Sequence, residues 1–222
     1  MKLFVHGMQS SGASLFAYFL SQRTETLGII DLNNHRLAPA LDYPFDIVLK
    51  AVITTRWSLA EHIDSFHPER KILFIRNPYD NYYSLKDKVY ADKSGGIDEK
   101  FALLEACFLN QDRYDATIYF EDFISRHAET VAKLNKISWG ASLEHYNFPR
   151  GPRDIYAFNM IFCEWCRNNP AAPGPEGGWG MGNIRDNKIN LALRDKPFDA
   201  SVDEKVRQLC PALYEYYRET RL

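Results

Sequence analysis

The segment Gly7-Met-Gln-Ser-Ser-Gly-Ala-Ser14 carries the main information about the fold. It follows the short apolar run 2–6, which predicts a buried strand, and it leads into 13–21, where apolar residues recur at helical spacing. A strand, a glycine-containing turn and a helix form the setting in which backbone N–H groups and a helix amino end bind a phosphate. The segment therefore predicts a phosphate-binding loop directly after the first strand.

The spacing of this loop is close to that of nucleoside-triphosphate-binding loops. Gly7 and Gly12 give the G-x-x-x-x-G pattern, and Ser14 supplies the closing hydroxyl. Ala13, however, stands where those loops carry the lysine that contacts the β- and γ-phosphates. A kinase or GTPase is therefore disfavoured, and an ordinary tight strand-to-helix turn is the alternative for the loop taken alone.

Further along the chain, apolar runs alternate with amphipathic stretches of 10 to 15 residues. This alternation predicts an α/β fold, a three-layer sandwich with a central parallel sheet. The predicted strands are 2–6, 28–30, 46–50, 71–75 and 116–120, and the predicted helices are 13–21, 57–66, 79–88, 98–111 and 121–136.

We expect a single domain over residues 1–222, with its core in about 1–138. The remainder, 139–222, shows helical patterns at 154–167 and 202–220. The stretch 168–182 between them is rich in glycine and proline, so it is either a linker or a loop that closes over a ligand.

Composition restricts the partners of the protein. The 222 residues hold 27 Lys plus Arg and 29 Asp plus Glu, a formal net charge of −2. This balance disfavours a basic coat for nucleic acid or for an anionic membrane, so neither is an expected partner. No window of about 18 apolar residues occurs, and a cytoplasmic protein is expected. The four cysteines are expected to be reduced thiols rather than disulfides or metal ligands.

A second polar segment follows the strand 71–75. Arg76 stands at the end of this strand, and Ser84 lies eight residues later on the predicted helix. Ligands of open α/β sheets bind at the carboxyl ends of strands, and a guanidinium offers a planar fork to a phosphate. We therefore expect Arg76 and Ser84 to bind a phosphate; the alternative is an ion pair of Arg76 with an acid such as Asp80.

Together with Ile118-Tyr-Phe-Glu-Asp-Phe123, these segments resemble the sulfotransferases that use 3′-phosphoadenosine 5′-phosphosulfate (PAPS). The resemblance covers residues 2–135. It implies transfer of a sulfuryl group from PAPS to a hydroxyl or amine, without a metal, leaving adenosine 3′,5′-bisphosphate (PAP). Arg76 and Ser84 would hold the 3′-phosphate. The 5′-phosphosulfate would be cradled by Ser10, Ser11, Gly12, Ala13 and Ser14.

The sequence departs from that family at several positions. Many members carry a lysine or arginine where Ser10 stands, and the catalytic histidine of cytosolic members is replaced by Val52. Lys50, two residues earlier, matches a family lysine and would act on the leaving group. The basic closing motif of the family has no clean counterpart, and Arg185 is the nearest candidate.

Because Val52 replaces the histidine, several residues are candidates for the general base. Asp31 and His35 follow the strand 28–30 and would face the same cleft as the loop. Other candidates include His6, Glu61 and His62. The acceptor is expected to be a small molecule or a carbohydrate. Two alternatives remain: a non-catalytic nucleotide-binding module of the same fold and, less favoured, a P-loop nucleotide kinase.

Overall fold

The computed structural model describes residues 1–32, 34, 36–41, 45–151, 179–180, 191, 193 and 196–220. Seven strands lie in these ranges. They are β1 (Lys2–Gly7), β2 (Thr26–Ile29), β3 (Asp31–Leu32), β4 (Asp46–Val52), β5 (Arg70–Ile75), β6 (Ala116–Tyr119) and β7 (Trp179–Gly180).

The described helices alternate with the strands as the sequence predicts. Each of the five predicted strands has a counterpart within a few residues of its expected bounds. The helices are α1 (Ala13–Leu20), α2 (Leu59–Phe66), α3 (Pro78–Leu85), α4 (Ile97–Leu109), α5 (Phe120–Ser125), α6 (His127–Lys136), α7 (Ala200–Leu209) and α8 (Pro211–Thr220).

Five of the strands form one parallel sheet in the order β2-β4-β1-β5-β6. Because all five run in one direction, their carboxyl ends meet at one edge, where the loop after β1 begins. In register, Val5 lies opposite Lys50 and Gly7 opposite Val52. This edge therefore brings the loop and the predicted catalytic strand side by side.

Helices cover both faces of the sheet, as expected of a three-layer α/β sandwich. One face packs Leu3 and Val5 against Phe16 of α1, together with residues of α5 and α6. The other face packs Phe4 against Phe66 of α2, in a core that also includes α4, α7 and α8. The predicted fold class is confirmed.

Two predicted helices are each divided in two, and one small sheet was not predicted. Arg126 leaves helical geometry between α5 and α6, with φ −123° and ψ 62°. Pro211 starts α8 directly after α7, because proline lacks the N–H that would continue the earlier helix. Two-residue strands β3 and β7 pair antiparallel, which places Asp31 beside Gly180.

The predicted helix 154–167 lies outside the described residues. Among the residues that are described, no helix is long and apolar enough to cross a bilayer.

Two histidines lie buried between the sheet and α2. His6 Nδ1 is 2.8 Å from the Tyr114 hydroxyl, and His62 Nδ1 accepts a hydrogen bond from the backbone N–H of Ala38. Burial lowers the pKa of His6 to about 3, and it lowers the pKa of His62 to about 4. Both imidazoles are therefore neutral near pH 7.

We expect mild acid to destabilise the fold through these two imidazoles. Unfolding returns each pKa to its ordinary value of 6.5. Below that pH the unfolded chain binds protons that the folded chain does not, so stability falls by up to about 1.4 kcal/mol per pH unit and histidine. Urea unfolding between about pH 7 and pH 4.5 measures this slope, and His6→Asn or His62→Asn should reduce it.

The exposed His67 provides the control. It ends α2 in the left-handed region, at φ 50°, which asparagine tolerates. His67→Asn should leave the slope unchanged. A wild-type slope in both buried-histidine variants would contradict the account.

Candidate anion-binding site

The loop after β1 curls back on itself through backbone geometry and one serine. Ser10 and Gly12 both have positive φ, at 59° and 91°. The buried Ser11 hydroxyl donates to the carbonyl of Met8 at 2.7 Å and accepts from the N–H of Ala13 at 3.3 Å. Ser11 is therefore committed to holding the loop, and the half-buried Ser10 and Ser14 remain at its outer side.

The loop ends at the amino terminus of α1. Gly12 is the N-cap residue and has no side chain that could cap the helix, so Ser11 accepts the N–H of Ala13 instead. The first turn also contains no acidic residue. The partial positive charge of the helix end is therefore not offset by a carboxylate of its own first turn, which favours binding of an anion.

Arg76 packs directly against this loop. It follows β5, its Nη1 donates to the carbonyl of Ser10 at 3.1 Å, and its guanidinium lies over the Phe120 ring at 5.0 Å. Its Nε is buried and has no hydrogen-bond partner within the described part of the chain. A planar donor is thus held at the loop with one N–H unused.

Nearby carboxylates influence the pKa of Arg76, but in the described part of the chain none of them forms an ion pair with it. Burial lowers the pKa of Arg76, and the charges of Asp80 and Glu121 partly offset this effect. Within the described ranges Arg76 forms no ion pair, so the expected alternative, a pair with Asp80, is not formed. Glu121 is engaged by neutral donors instead: the N–H of Asn77 at 2.9 Å and the hydroxyl of Tyr217 at 2.8 Å.

The contact between Glu121 and Tyr217 was not predicted. The sequence marks Glu121 only as a helix start, whereas its carboxylate links the turn after β5 to α8 near the chain end. A local sequence pattern does not predict a contact between residues that are 96 positions apart. The helix α8 therefore helps to fix the backbone beside Arg76.

Ser84 lies on the side of α3 that faces the loop. Asn77 caps this helix by accepting from the N–H of Tyr79, and Pro78 occupies its first turn. Asn81 donates from Nδ2 to the carbonyl of Gln9 at 2.7 Å. Ser84 follows Asn81 by three residues, so the two side chains share one helix face. The half-buried Ser84 therefore lies one turn beyond Asn81 on this face, and its binding of a phosphate stays a prediction.

The structure pairs two of the predicted catalytic residues with each other. Lys50 Nζ lies 2.8 Å from Asp31 Oδ1, and the lysine side chain is 4% exposed against 37% for the aspartate. The pair sits at the carboxyl ends of β2 and β4, next to β1. His35 and Arg185 lie outside the described residues, and the roles of all four residues stay predictions.

Lys100 is a residue of this region that sequence reasoning missed. Its side chain is completely buried, and Nζ donates to Gln9 Oε1 at 3.0 Å, to the Ala91 carbonyl at 2.6 Å and to the Lys93 carbonyl at 2.7 Å. One signal was present: Lys100 stands four residues before the buried Leu104, on the apolar face of α4.

One cavity lies between the start of α2 and the second half of α4. It has a volume of about 200 Å³, and its lining includes His6 of β1, Thr54 after β4, Leu59 of α2 and Leu103 of α4. None of its lining residues belongs to the segment 8–14 or is Arg76. Among the described residues, no group of three or more His, Cys, Asp or Glu side chains is placed to hold a metal ion.

No family model matches the sequence, and no curated protein matches it significantly. The structure resembles that of mouse sulfotransferase SULT7A1 complexed with PAP, with a TM-score of 0.53, 11% identity, and coverage of 97% of this chain and 88% of the other. Retinol dehydratase, solved with retinol and PAP, gives a TM-score of 0.44 at 13% identity, over 100% of this chain and 82% of the other. The likeness to SULT7A1 shows that this chain has the sulfotransferase fold, as its sequence motifs predict.

We expect Gly12→Ala to distort the loop and destabilise the fold. A Cβ at this position would lie 2.6 Å from two atoms of the Phe120 ring, and φ is 91°. Strain and overpacking together should cost about 2–4 kcal/mol, measured by urea unfolding.

Gly96→Ala is the matched control. Gly96 precedes α4 at φ −63°, and its added Cβ would meet no atom closer than 3.5 Å. Its effect should stay within about 1 kcal/mol. Equal losses in the two alanine variants would show that the loop does not require glycine.

Proposed function

We propose that the protein is a PAPS-dependent sulfotransferase, which moves a sulfuryl group to a hydroxyl or amine acceptor and leaves PAP. The observation that carries this proposal is the position of Arg76. Its guanidinium is held against the carbonyl of Ser10, free of any ion pair in the described part of the chain, with Nε lacking a partner. A buried donor of this kind is matched by an anion such as a phosphate.

The two anionic ends of PAPS would occupy neighbouring positions. In this proposal the 5′-phosphosulfate lies at Ser10 to Ser14, facing the amino end of α1. The 3′-phosphate lies at Arg76 and Ser84, which come from the neighbouring strand and its following helix. The hydrogen bond from Arg76 to Ser10 supports the proposal because it joins the two positions directly.

Sulfuryl transfer resembles phosphoryl transfer, a loose in-line displacement in which negative charge develops on the leaving oxygen. The bond from sulfur to the bridging oxygen breaks and its electron pair stays on PAP. A bond to the acceptor oxygen or nitrogen forms, and the acceptor loses a proton. The reaction therefore needs a cation at the leaving oxygen and a base at the acceptor.

The Lys50–Asp31 pair fits both needs if it opens. In this proposal the Lys50 ammonium leaves Asp31 for the bridging oxygen, where charge develops. The released Asp31 carboxylate then stands at the same edge of the sheet and accepts the proton of the acceptor. His35 remains the other candidate for the base. The acceptor is proposed to be a small molecule or a carbohydrate, and the protein is proposed to act in the cytoplasm.

A non-catalytic nucleotide-binding module is the second candidate, and three observations favour it. Ser10 and Val52 stand where the family carries a cation and a histidine, and the charge of Lys50 is neutralised by Asp31. Transfer from labelled PAPS to a panel of phenols, alcohols, amines and sugars separates the two. An enzyme yields labelled product, and Lys50→Met lowers this turnover far more than PAP affinity. A module binds PAP without transferring label.

The kinase alternative is tested by titration with ATP. A kinase binds ATP and transfers phosphate from it, whereas the proposed enzyme binds PAP and leaves ATP unconsumed. Ala13 in the lysine position of the loop disfavours the kinase.

We expect Arg76→Ala to weaken PAP binding by about 2–4 kcal/mol, because it removes a charge-assisted contact to the 3′-phosphate. Isothermal titration calorimetry measures the change, and circular dichroism checks that the variant is folded. Arg218→Ala removes an equal charge from an exposed position in the last turn of α8 and should leave PAP affinity unchanged. Unchanged affinity in a folded Arg76→Ala variant would contradict the proposed binding mode.

A further inference from the structure

The phosphate loop contains no cation of its own. Neither Ser10 nor Ala13 carries the charge that related loops place there, and the segment 7–14 has no lysine or arginine at all. Arg76 reaches the loop at Ser10 from one side. On another side, Gln9 contacts a positive charge that comes from α4, the ammonium of Lys100.

This ammonium is buried without a carboxylate partner in the described ranges. Its three hydrogen bonds go to neutral acceptors: the carboxamide of Gln9 and the carbonyls of Ala91 and Lys93. The acids that influence its charge, Asp92 and Glu99, accept hydrogen bonds from the backbone N–H groups of Ile97 and Gly96 at the start of α4. The charge of Lys100 is therefore solvated by dipoles and not cancelled by an ion pair.

Gln9 connects this charge to the loop. Its Oε1 accepts from Lys100, its Nε2 donates to the carbonyl of Tyr90 at 3.3 Å, and its own carbonyl accepts from Asn81 Nδ2 at 2.7 Å. These contacts fix both the side chain and the backbone of the residue directly before Ser10. A shift of Lys100 would thus be transmitted to the loop through one side chain.

We propose that Lys100 supplies the positive charge that the loop lacks and positions the loop through Gln9, which makes it a positioning residue for the 5′-phosphosulfate. The inference rests on the proposed function, because it assumes an anion at residues 10–14. A buried charge is poorly screened by salt and acts over a longer range than a surface charge. Burying an ammonium without a counter-ion is costly, and a bound anion would lower that cost.

A purely structural role is the competing explanation. Lys100 also satisfies two backbone carbonyls, and its removal would leave them buried without donors. The two explanations differ in what they affect. A structural defect would weaken the binding of every ligand of the site. Loss of the charge alone would weaken only ligands that place an anionic group at the loop.

The test uses the full chain, with calorimetric titration of three probes: PAP, adenosine 3′-phosphate and inorganic pyrophosphate. Lys100→Met should lower the affinities for PAP and for pyrophosphate by about tenfold, because a buried charge acts on an anion across a medium of low effective dielectric constant. Adenosine 3′-phosphate has no 5′-phosphate to lie at the loop, so its affinity should change by less than about twofold. Lys100→Arg, which keeps the charge, should recover most of the loss.

Lys136→Met is the matched control, since it removes an equal charge from an exposed position at the end of α6. It should leave the affinities of all three probes unchanged. If Lys100→Met does not fold, Lys100→Gln replaces it, because its amide retains donors for the two carbonyls while removing the charge.

Several outcomes decide between the explanations. Unchanged PAP and pyrophosphate affinity in a folded Lys100 variant overturns the inference, and so does an equal loss for all three probes. If the wild type binds pyrophosphate in a Lys100-dependent way but not PAP, the proposed function fails, and the inference stands only as the claim that Lys100 serves an anion at residues 10–14. If the wild type binds none of the probes, both are overturned.

Discussion

The hydrogen bond from Arg76 to the carbonyl of Ser10 is the contact on which the candidate site depends. It joins the loop after the central strand β1 to the end of the adjacent strand β5, two places that a parallel sheet brings to one edge. A guanidinium in this position is partly desolvated, and desolvation lowers its pKa. An arginine remains charged under these conditions, so its guanidinium attracts anions.

The groups around this contact leave Arg76 without an ion pair in the described ranges. Glu121, one of the two acids whose charges act on Arg76, accepts hydrogen bonds from the N–H of Asn77 and the hydroxyl of Tyr217. Phe120 stacks beneath the guanidinium and also excludes any side chain at Gly12. In the described part of the chain, the Glu121 carboxylate thus holds the turn after β5 and Tyr217 of α8, and it forms no ion pair with Arg76. By contrast, Lys50 is paired with Asp31, and the proposed mechanism requires this pair to separate.

The sequence predicts the parts of this account that depend on local patterns. Short apolar runs locate the strands, apolar residues at helical spacing locate the helices, and the glycine spacing of 7–14 locates the loop. It does not predict the contacts that cross the fold. The Lys50–Asp31 pair, the bond between Tyr217 and Glu121, and the link between Lys100 and Gln9 join residues 19 to 96 positions apart. Such contacts depend on packing, which periodicity does not encode.

The central claim is that one edge of the sheet holds two adjacent anion positions, at the loop and at Arg76. Direct calorimetric comparison of PAP with adenosine 5′-phosphate on the unmodified chain tests it, since the two ligands differ only in the 3′-phosphate. The account predicts that PAP binds at least about 30-fold more tightly, because a charge-assisted contact is worth about 2 kcal/mol or more. Equal affinity for the two nucleotides, or no binding of PAP, would contradict it.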